Sequence, residues 1–256
     1  GSGHLGGSFS IADLMALLYG KVLAYDPENP RWEGRDRVVL SKGHAGPAWY
    51  AALAESGFFG RDMLLTLNQG HTDLPSHPDR LKTPGVDMTT GSLGQGCSTA
   101  AGIAYANRLK GSDAYTYLIV GDGELNEGQC WEAFQFIAHN RLNRCIVIID
   151  DNKKQLDGYT ADVMNPFDIA GKMRAFGFAT QRVNGQDVVA LDAAITCAKH
   201  TEDSAVAIVM DTVKGAGVPY FEQLMDNHSV KFNAEAKAAA EAAIAELEAV
   251  IEGSRA

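Results

Sequence analysis

The chain has 256 residues, 46% of them hydrophobic and 21% charged, which is enough apolar content for one large core or two modest ones. Its formal charge of −10 argues against nonspecific binding to nucleic acid or to an anionic membrane surface. Any anion site must therefore draw on backbone N–H groups, histidines or a metal.

Ser10 is placed to cap a first helix through Ile11–Tyr19, where apolar residues recur at helical spacing. DPENPRWEGRD reads as a loop, Val38–Leu40 as a short buried strand ending at SKGH, and Ala48–Ser56 as a helix. Residues 68–96 hold little periodic structure, and a loop of that length in a compact domain signals function or disorder; its Gly, His and Thr content favours function. An Ala-rich helix, Cys97–Lys110, precedes a strand at Tyr115–Val120, a helix at Glu127–Asn140 and a strand at Cys145–Asp150. Then come a helix at Phe167–Phe176, a strand at Thr180–Val183, a helix at Val188–Lys199 and a strand at Ala205–Asp211. The tail, Ala234–Ile251, reads as an Ala/Glu helix packed on an outer surface. Strands alternating with helices predict an α/β fold, a doubly wound and mostly parallel sheet with helices on both faces. Without internal repeats or linkers, residues 1–256 are expected to form one domain.

Cys97, Cys130, Cys145 and Cys197 form no C-x-x-C pair and read as free thiols of a cytoplasmic protein, not as a zinc site. No run of 18 apolar residues marks a membrane span. The chain starts at GSGHLGG without a Met, so the lack of a visible signal peptide carries little weight.

Ligands of open α/β sheets bind at the carboxyl ends of the strands. Four such ends carry polar or glycine-rich stretches: SKGH after Leu40, GDGE after Val120, DDNKKQ after Ile149 and TVKGAG after Asp211. Gly121 and Gly123 allow close backbone approach, and the following helix points its positive end at the same place, which suits phosphate. Asp122 offers a carboxylate and Asn152 a side-chain carbonyl, both hard oxygen donors suited to Mg²⁺ bridged to phosphates. Two adjacent strand ends thus read as two sides of one metal–diphosphate clamp.

GDG followed about 30 residues later by NxxxxDG resembles the thiamin diphosphate motif. SGHLGG, LSKGHAGPAWYAAL, SHPDRLKTPGVDMTTGSLGQG, GDGELNEGQCWEA, IDDNKKQLDG and TVKGAG follow one another as in the N-terminal half of transketolases, a resemblance covering positions 2–217. It implies thiamin diphosphate and Mg²⁺ as cofactors, with Ca²⁺ or Mn²⁺ as possible substitutes. It implies metal ligation by the side chains of Asp122 and Asn152 and the backbone carbonyl of Lys154. Gly123 would touch the diphosphate by its N–H, flanked by Gly121 and Glu124. Gly91 and Leu93 would line the aminopyrimidine through backbone contacts, and Leu156 would pack against the cofactor ring. His44 would sit near the diphosphate, and His4 and His77 would face substrate hydroxyls or the carbonyl, where imidazole suits proton shuttling near neutrality. His228 is carried over too, although the family usually reads His-Gly where this chain has His228-Ser229. Glu127 looks like the carboxylate that reaches across a subunit interface; on its own position it also reads as an acidic residue at a helix N-terminus, favoured by the dipole. His71, His139 and His200 match no motif and are left as structural.

In transketolases the glutamate that activates the pyrimidine ring lies in a second domain, which this stretch of sequence does not contain. The resemblance is therefore to split transketolases, in which a C-terminal, pyrimidine-binding subunit completes the site in a heterotetramer of two plus two. The activity implied is transfer of a two-carbon ketol unit from a ketose, a sugar phosphate or analogue, to an aldose through a covalent cofactor adduct. Two alternatives keep the cofactor and change the reaction: a 1-deoxyxylulose-5-phosphate synthase-like half, or the alpha subunit of a 2-oxo-acid dehydrogenase. A third, a noncatalytic binding module, would have lost a metal ligand or a histidine, and Asp122, Asn152, His4, His44 and His77 are all in place.

Overall fold

Alternation along the strands decides which helices cover which face of the sheet. The computed structural model describes residues 2–255. In chain order, β1 (Ser2–Gly3) leads through α1 (Gly6–Phe9) and α2 (Ala12–Leu17) to β2 (Arg37–Leu40). Helices α3 (Gly46–Glu55) and α4 (Gln95–Leu109) separate β2 from β3 (Thr116–Gly121), and α5 (Gly128–His139) separates β3 from β4 (Cys145–Asp151). A hairpin of β5 (Lys154–Gln155) and β6 (Gly158–Tyr159), then α6 (Thr160–Val163) and α7 (Ile169–Ala175), precede β7 (Phe178–Asn184). Helix α8 (Val188–Lys199) returns to β8 (Ala205–Asp211), followed by α9 (Pro219–Gln223), β9 (Val230–Lys231) and α10 (Ala234–Arg255).

Strands β2, β3, β4, β8 and β7 lie side by side in that order, every pair parallel. Every residue of β3 and β4 is buried, so both strands read as continuous apolar runs. Val38, Leu40, Tyr117, Ile119, Ile146 and Ile148 point to one face and pack with α2, α3 and α8. Val39, Leu118, Val120, Val147 and Ile149 point to the other and pack with α4, α5 and α7. This is the doubly wound α/β arrangement expected from the sequence. Parallel pairing sets Leu40 beside Ile119, Gly121 beside Asp150 and Asp151 beside Asp211, so the four polar strand ends share one edge.

Three local expectations change. Ser10 does not cap the first helix: Ile11 is the N-cap residue, and the buried Ser10 hydroxyl donates to Asp150 Oδ2 at 2.7 Å. An N-cap serine accepts from the first helical N–H groups out of an extended conformation, whereas Ser10 closes α1 with helical φ −60° and ψ −21°. The helix itself stops at Leu17 and runs into a π turn, Leu18–Val22. The tail helix packs only through its first turns: Ala236 and Ala243 are buried, while Leu247, Val250 and Ile251 stay exposed.

The long stretch after α3 is ordered by local anchors. A 3₁₀ turn spans Arg61–Thr66, Leu74 and Val86 are buried, and the Thr90 hydroxyl donates to Leu40 O at 2.6 Å. That last bond brings TTGSLG onto the end of β2. No helix among the described residues is long and apolar enough to cross a membrane.

Candidate active site

One cavity of about 300 Å³ opens along this shared edge. His4, His44, His77, His228, Gly91, Leu93, Gly121, Asp122, Gly123, Glu124, Asn152, Lys154 and Leu156 all line it. Of the residues singled out from the sequence, Glu127 alone lies outside that lining. It is exposed at the N-cap of α5 and its side chain makes no capping hydrogen bond, which leaves the carboxylate free for a partner. His71, His139 and His200 also lie outside the cavity lining.

The floor is a buried polar network centred on Asp150. Its Oδ2 accepts from Lys42 Nζ (2.5 Å), Ser10 Oγ (2.7 Å) and Asn152 Nδ2 (2.7 Å), and its Oδ1 accepts from Thr212 Oγ1. Burial pushes this carboxyl up, but the Lys42 charge and the donors from Lys42, Thr212 and Ser10 together hold it below the usual carboxylate value. One consequence is directional. Because the Asn152 amide nitrogen is fixed on Asp150, its carbonyl oxygen is turned the other way, where it accepts from the Lys154 N–H at 3.2 Å. The expected ligand atom of Asn152 is thus oriented by Asp150, the first residue of DDNKKQ, for which the resemblance implies no role of its own.

Asp122, at the end of β3, is 2% exposed. Its carboxylate accepts from the Gly123 N–H (2.8 Å) and the Lys153 N–H (2.8 Å). Burial, with the neighbouring Asp150 charge adding to it, pushes its pKa up to about 7. A buried carboxylate so poorly compensated fits a cation site. The Gly123 N–H, expected to face a diphosphate, is turned onto Asp122 here. Glu124 lines the cavity, yet its carboxylate is engaged by the Gly94 N–H (2.8 Å), the Gly121 N–H (3.1 Å) and the Ser41 hydroxyl. It stitches TTGSLG to the GDG turn, a positioning task.

Close backbone approach explains two glycines. A Cβ on Gly43 of SKGH would lie 2.7 Å from Gly91 N, so only glycine lets that turn meet the TTGS loop. Gly91 itself has φ +145°, and a Cβ there would meet the His77 ring at 2.9 Å.

The histidines gather although they come from four distant stretches of chain. The His4 ring lies 5.8 Å from His44, 5.6 Å from His77 and 5.3 Å from His228, and His44 and His228 are 4.6 Å apart. His228 thus joins the group despite its unusual neighbours. Burial foremost, then the Lys42 charge, lowers the His44 pKa to about 2; burial and Lys214 lower that of His228 to about 4. His4 is lowered by burial, His77 and Lys214. These three rings are neutral at neutral pH. Lys214, missed from the sequence although TVKGAG was noted, is 2% exposed and reaches Lys154 O (3.2 Å), Gln155 O (3.3 Å) and His228 Nδ1 (3.2 Å). Burial lowers its pKa to about 8. Its signal in the sequence was a lone cation on the fourth strand end.

Fold and site together define a parallel α/β domain with a polar, histidine-lined cavity at the carboxyl edge of its sheet. Residues 1–245 match the family described as "Transketolase, thiamine diphosphate binding domain", and the chain belongs to that family. It is 45% identical to the 6-deoxy-6-sulfo-D-fructose transketolase subunit SqwG of Clostridium sp. (strain MSTE9), over 97% of this chain and 89% of that protein. It is 36% identical to an apulose-4-phosphate transketolase subunit of Actinobacillus succinogenes, over 86% of this chain and 79% of that one. The transketolase structure from Campylobacter jejuni matches with a TM-score of 0.87 and 31% identity, covering 94% of this chain and 39% of that one. This chain therefore spans about two-fifths of that transketolase, while it matches the separate subunits over most of their length. These relatives favour the transketolase reading over the synthase-like and dehydrogenase-like alternatives.

Proposed function

We propose that this chain is the diphosphate-binding subunit of a two-subunit, cytoplasmic transketolase that moves a two-carbon ketol unit from a ketose to an aldose. The observation that carries this reading is the convergence of four histidines, Lys214 and the Asp122–Asn152 pair on one cavity. Asp122 and Asn152 would hold Mg²⁺ by their side chains and Lys154 by its carbonyl, with Ca²⁺ or Mn²⁺ as substitutes. Lys214 would balance the diphosphate charge. When bound, thiamin diphosphate supplies a carbanion and an electron sink for breaking the bond beside a ketose carbonyl.

The chain's own residues supply position and proton traffic. Neutral imidazoles at His4 and His44 each offer one donor and one acceptor, which suits holding sugar hydroxyls and relaying a proton between them, while His228, whose Nδ1 accepts from Lys214, offers its Nε2–H as a donor. His77, on the exposed rim of the cavity, meets the substrate side. Leu156 is 62% exposed at the same rim and offers an apolar surface to the cofactor ring. Glu127 would meet the opposite copy of the assembly, a heterotetramer of two such chains with two pyrimidine-binding subunits. The named relatives act on sugars carrying a sulfonate or a phosphate, so the donor proposed is a ketose with an anionic far end.

A native mass spectrum of the untagged protein from its source tests the reading. Expected is a complex with a second subunit, holding thiamin diphosphate and a divalent ion. A bare monomer or homodimer without cofactor refutes it. Loss of CO₂ from a 2-oxo acid by the assembled complex would instead support a dehydrogenase-like or synthase-like reaction.

A further inference from the structure

Behind the cavity, at the ends of β4, β8 and β7, lies a group of four charges that the cofactor reading leaves unused. Asp151 and Asp211 are register partners on adjacent parallel strands, two like charges side by side. Arg182 of β7 contacts both, Asp151 at 3.1 Å and Asp211 more closely. Lys153 contacts both as well, Asp211 at 3.0 Å and Asp151 more closely. Lys153 is also one of the few residues other than glycine in the left-handed region, with φ +69°. Side chains with a Cβ adopt that conformation at a cost.

The backbone turn at Lys153 has a purpose on the cavity side. Its N–H donates to Asp122 Oδ2 at 2.8 Å, and its carbonyl accepts from the Thr160 N–H at 2.9 Å. It stands between Asn152 and Lys154, two of the three donors assigned to the metal. One residue is thus pinned twice, by its side chain to the ends of β4 and β8 and by its amide to the Asp122 carboxylate.

We propose that Lys153 is a positioning residue: its ion pairs to Asp151 and Asp211 hold the left-handed turn that aims Asp122, Asn152 and Lys154 at a divalent cation. The inference rests on the cofactor reading above. It extends it to a residue whose side chain points away from the cavity. The pairs are partly exposed, with Lys153 at 51% and Asp211 at 45%, so salt screens them. Their task is to bias one local backbone conformation, not to stabilise the domain as a whole.

The test uses the assembled complex. Free Mn²⁺ is titrated at saturating thiamin diphosphate and read by electron paramagnetic resonance, and thermal unfolding of the cofactor-free complex is recorded in parallel. Lys153→Ala keeps a Cβ in the left-handed turn and removes the tether, so Mn²⁺ affinity should fall about ten-fold, as for other supports of metal ligands. Lys153→Gly removes tether and Cβ cost together and should stay within about two-fold of wild type. Asp211→Asn, outside the cavity, should weaken Mn²⁺ binding by about two- to five-fold, and less so at high salt. An unchanged Mn²⁺ affinity in Lys153→Ala would overturn the proposal. So would a loss in Lys153→Gly equal to that in Lys153→Ala, or a fall in unfolding temperature with no change in affinity. Failure of the wild-type complex to bind Mn²⁺ with thiamin diphosphate would overturn the cofactor reading itself, and this proposal with it.

Discussion

Replacing Asp150 by Asn tests whether the cavity floor is built on a buried ion pair. Lys42 and Asp150 have side-chain exposures of 1% and 0%, with Nζ and Oδ2 2.5 Å apart. In Asp150→Asn the lysine keeps its charge and retains only Gly7 O (2.7 Å) and Ser10 Oγ (3.4 Å) as acceptors beside the new amide. An amide fits in one orientation only: its oxygen takes the three donors now on Oδ2, and its NH₂ at the Oδ1 position requires the Thr212 hydroxyl to turn from donor to acceptor. The buried Lys42 charge is then left without its counter-ion. Removing one member of a buried pair costs about 3–5 kcal/mol, which for a chain of this size lowers Tm on the order of 10 °C. Adding Lys42→Met removes the stranded charge, so the double variant should be more stable than Asp150→Asn alone. Denaturant unfolding of the cofactor-free protein reads both quantities. The sign with pH is also set. Because the folded Asp150 carboxyl is lowered from 3.8, its contribution is complete above about pH 4 and is lost as pH falls through the folded value. A loss under about 1 kcal/mol in Asp150→Asn, or a double variant no more stable than the single, would show that the pair does not hold the floor together.

Asp122→Ala should weaken metal-dependent cofactor binding more than His77→Ala, which should lower kcat with the cofactor still bound; equal cofactor affinities by calorimetry would contradict that division. With Asp122 raised to about 7, and a cation binding only the carboxylate, Mg²⁺ affinity should fall as pH drops below 7, approaching ten-fold per unit; a flat profile between pH 8 and 6 would oppose it. Gly43→Ala places a Cβ 2.7 Å from Gly91 N, so it should separate the SKGH turn from TTGS and cost more than about 2 kcal/mol in unfolding; wild-type stability would show that the two loops yield. Glu127→Gln should leave the unfolding of the isolated chain within about 0.5 kcal/mol while lowering activity of the assembled complex, and unchanged activity would return Glu127 to a helix-end role.

The sheet and the edge that carries its site were legible in the residues themselves. Runs such as Tyr117–Val120 and Cys145–Asp150 are apolar because both faces are covered, and their length and separation by helical segments specify parallel strands. Parallel strands put all carboxyl ends on one edge, so GDG, DDNKKQ, SKGH and TVKGAG could be assigned to one ligand before any coordinates. Motif order carried His4, His44 and His77; His228 lies beyond the matched motifs, and the fold brings its ring to within 4.6 Å of His44. The direction in which polar side chains point came from the folded chain. Ser10 has the residue type and spacing of a helix cap, yet a charged acceptor 140 residues away claims its hydroxyl. Glu124 sits inside the expected cofactor motif, yet three donors from the GDG turn, the TTGSLG loop and β2's end turn its carboxylate into the protein. Lys42 and Asp150 are 108 residues apart and meet only because β2 and β4 flank β3. Periodicity reports which side of an element is buried. It does not report which of several competing partners a buried polar group will choose, because that choice depends on charges brought together from remote strands.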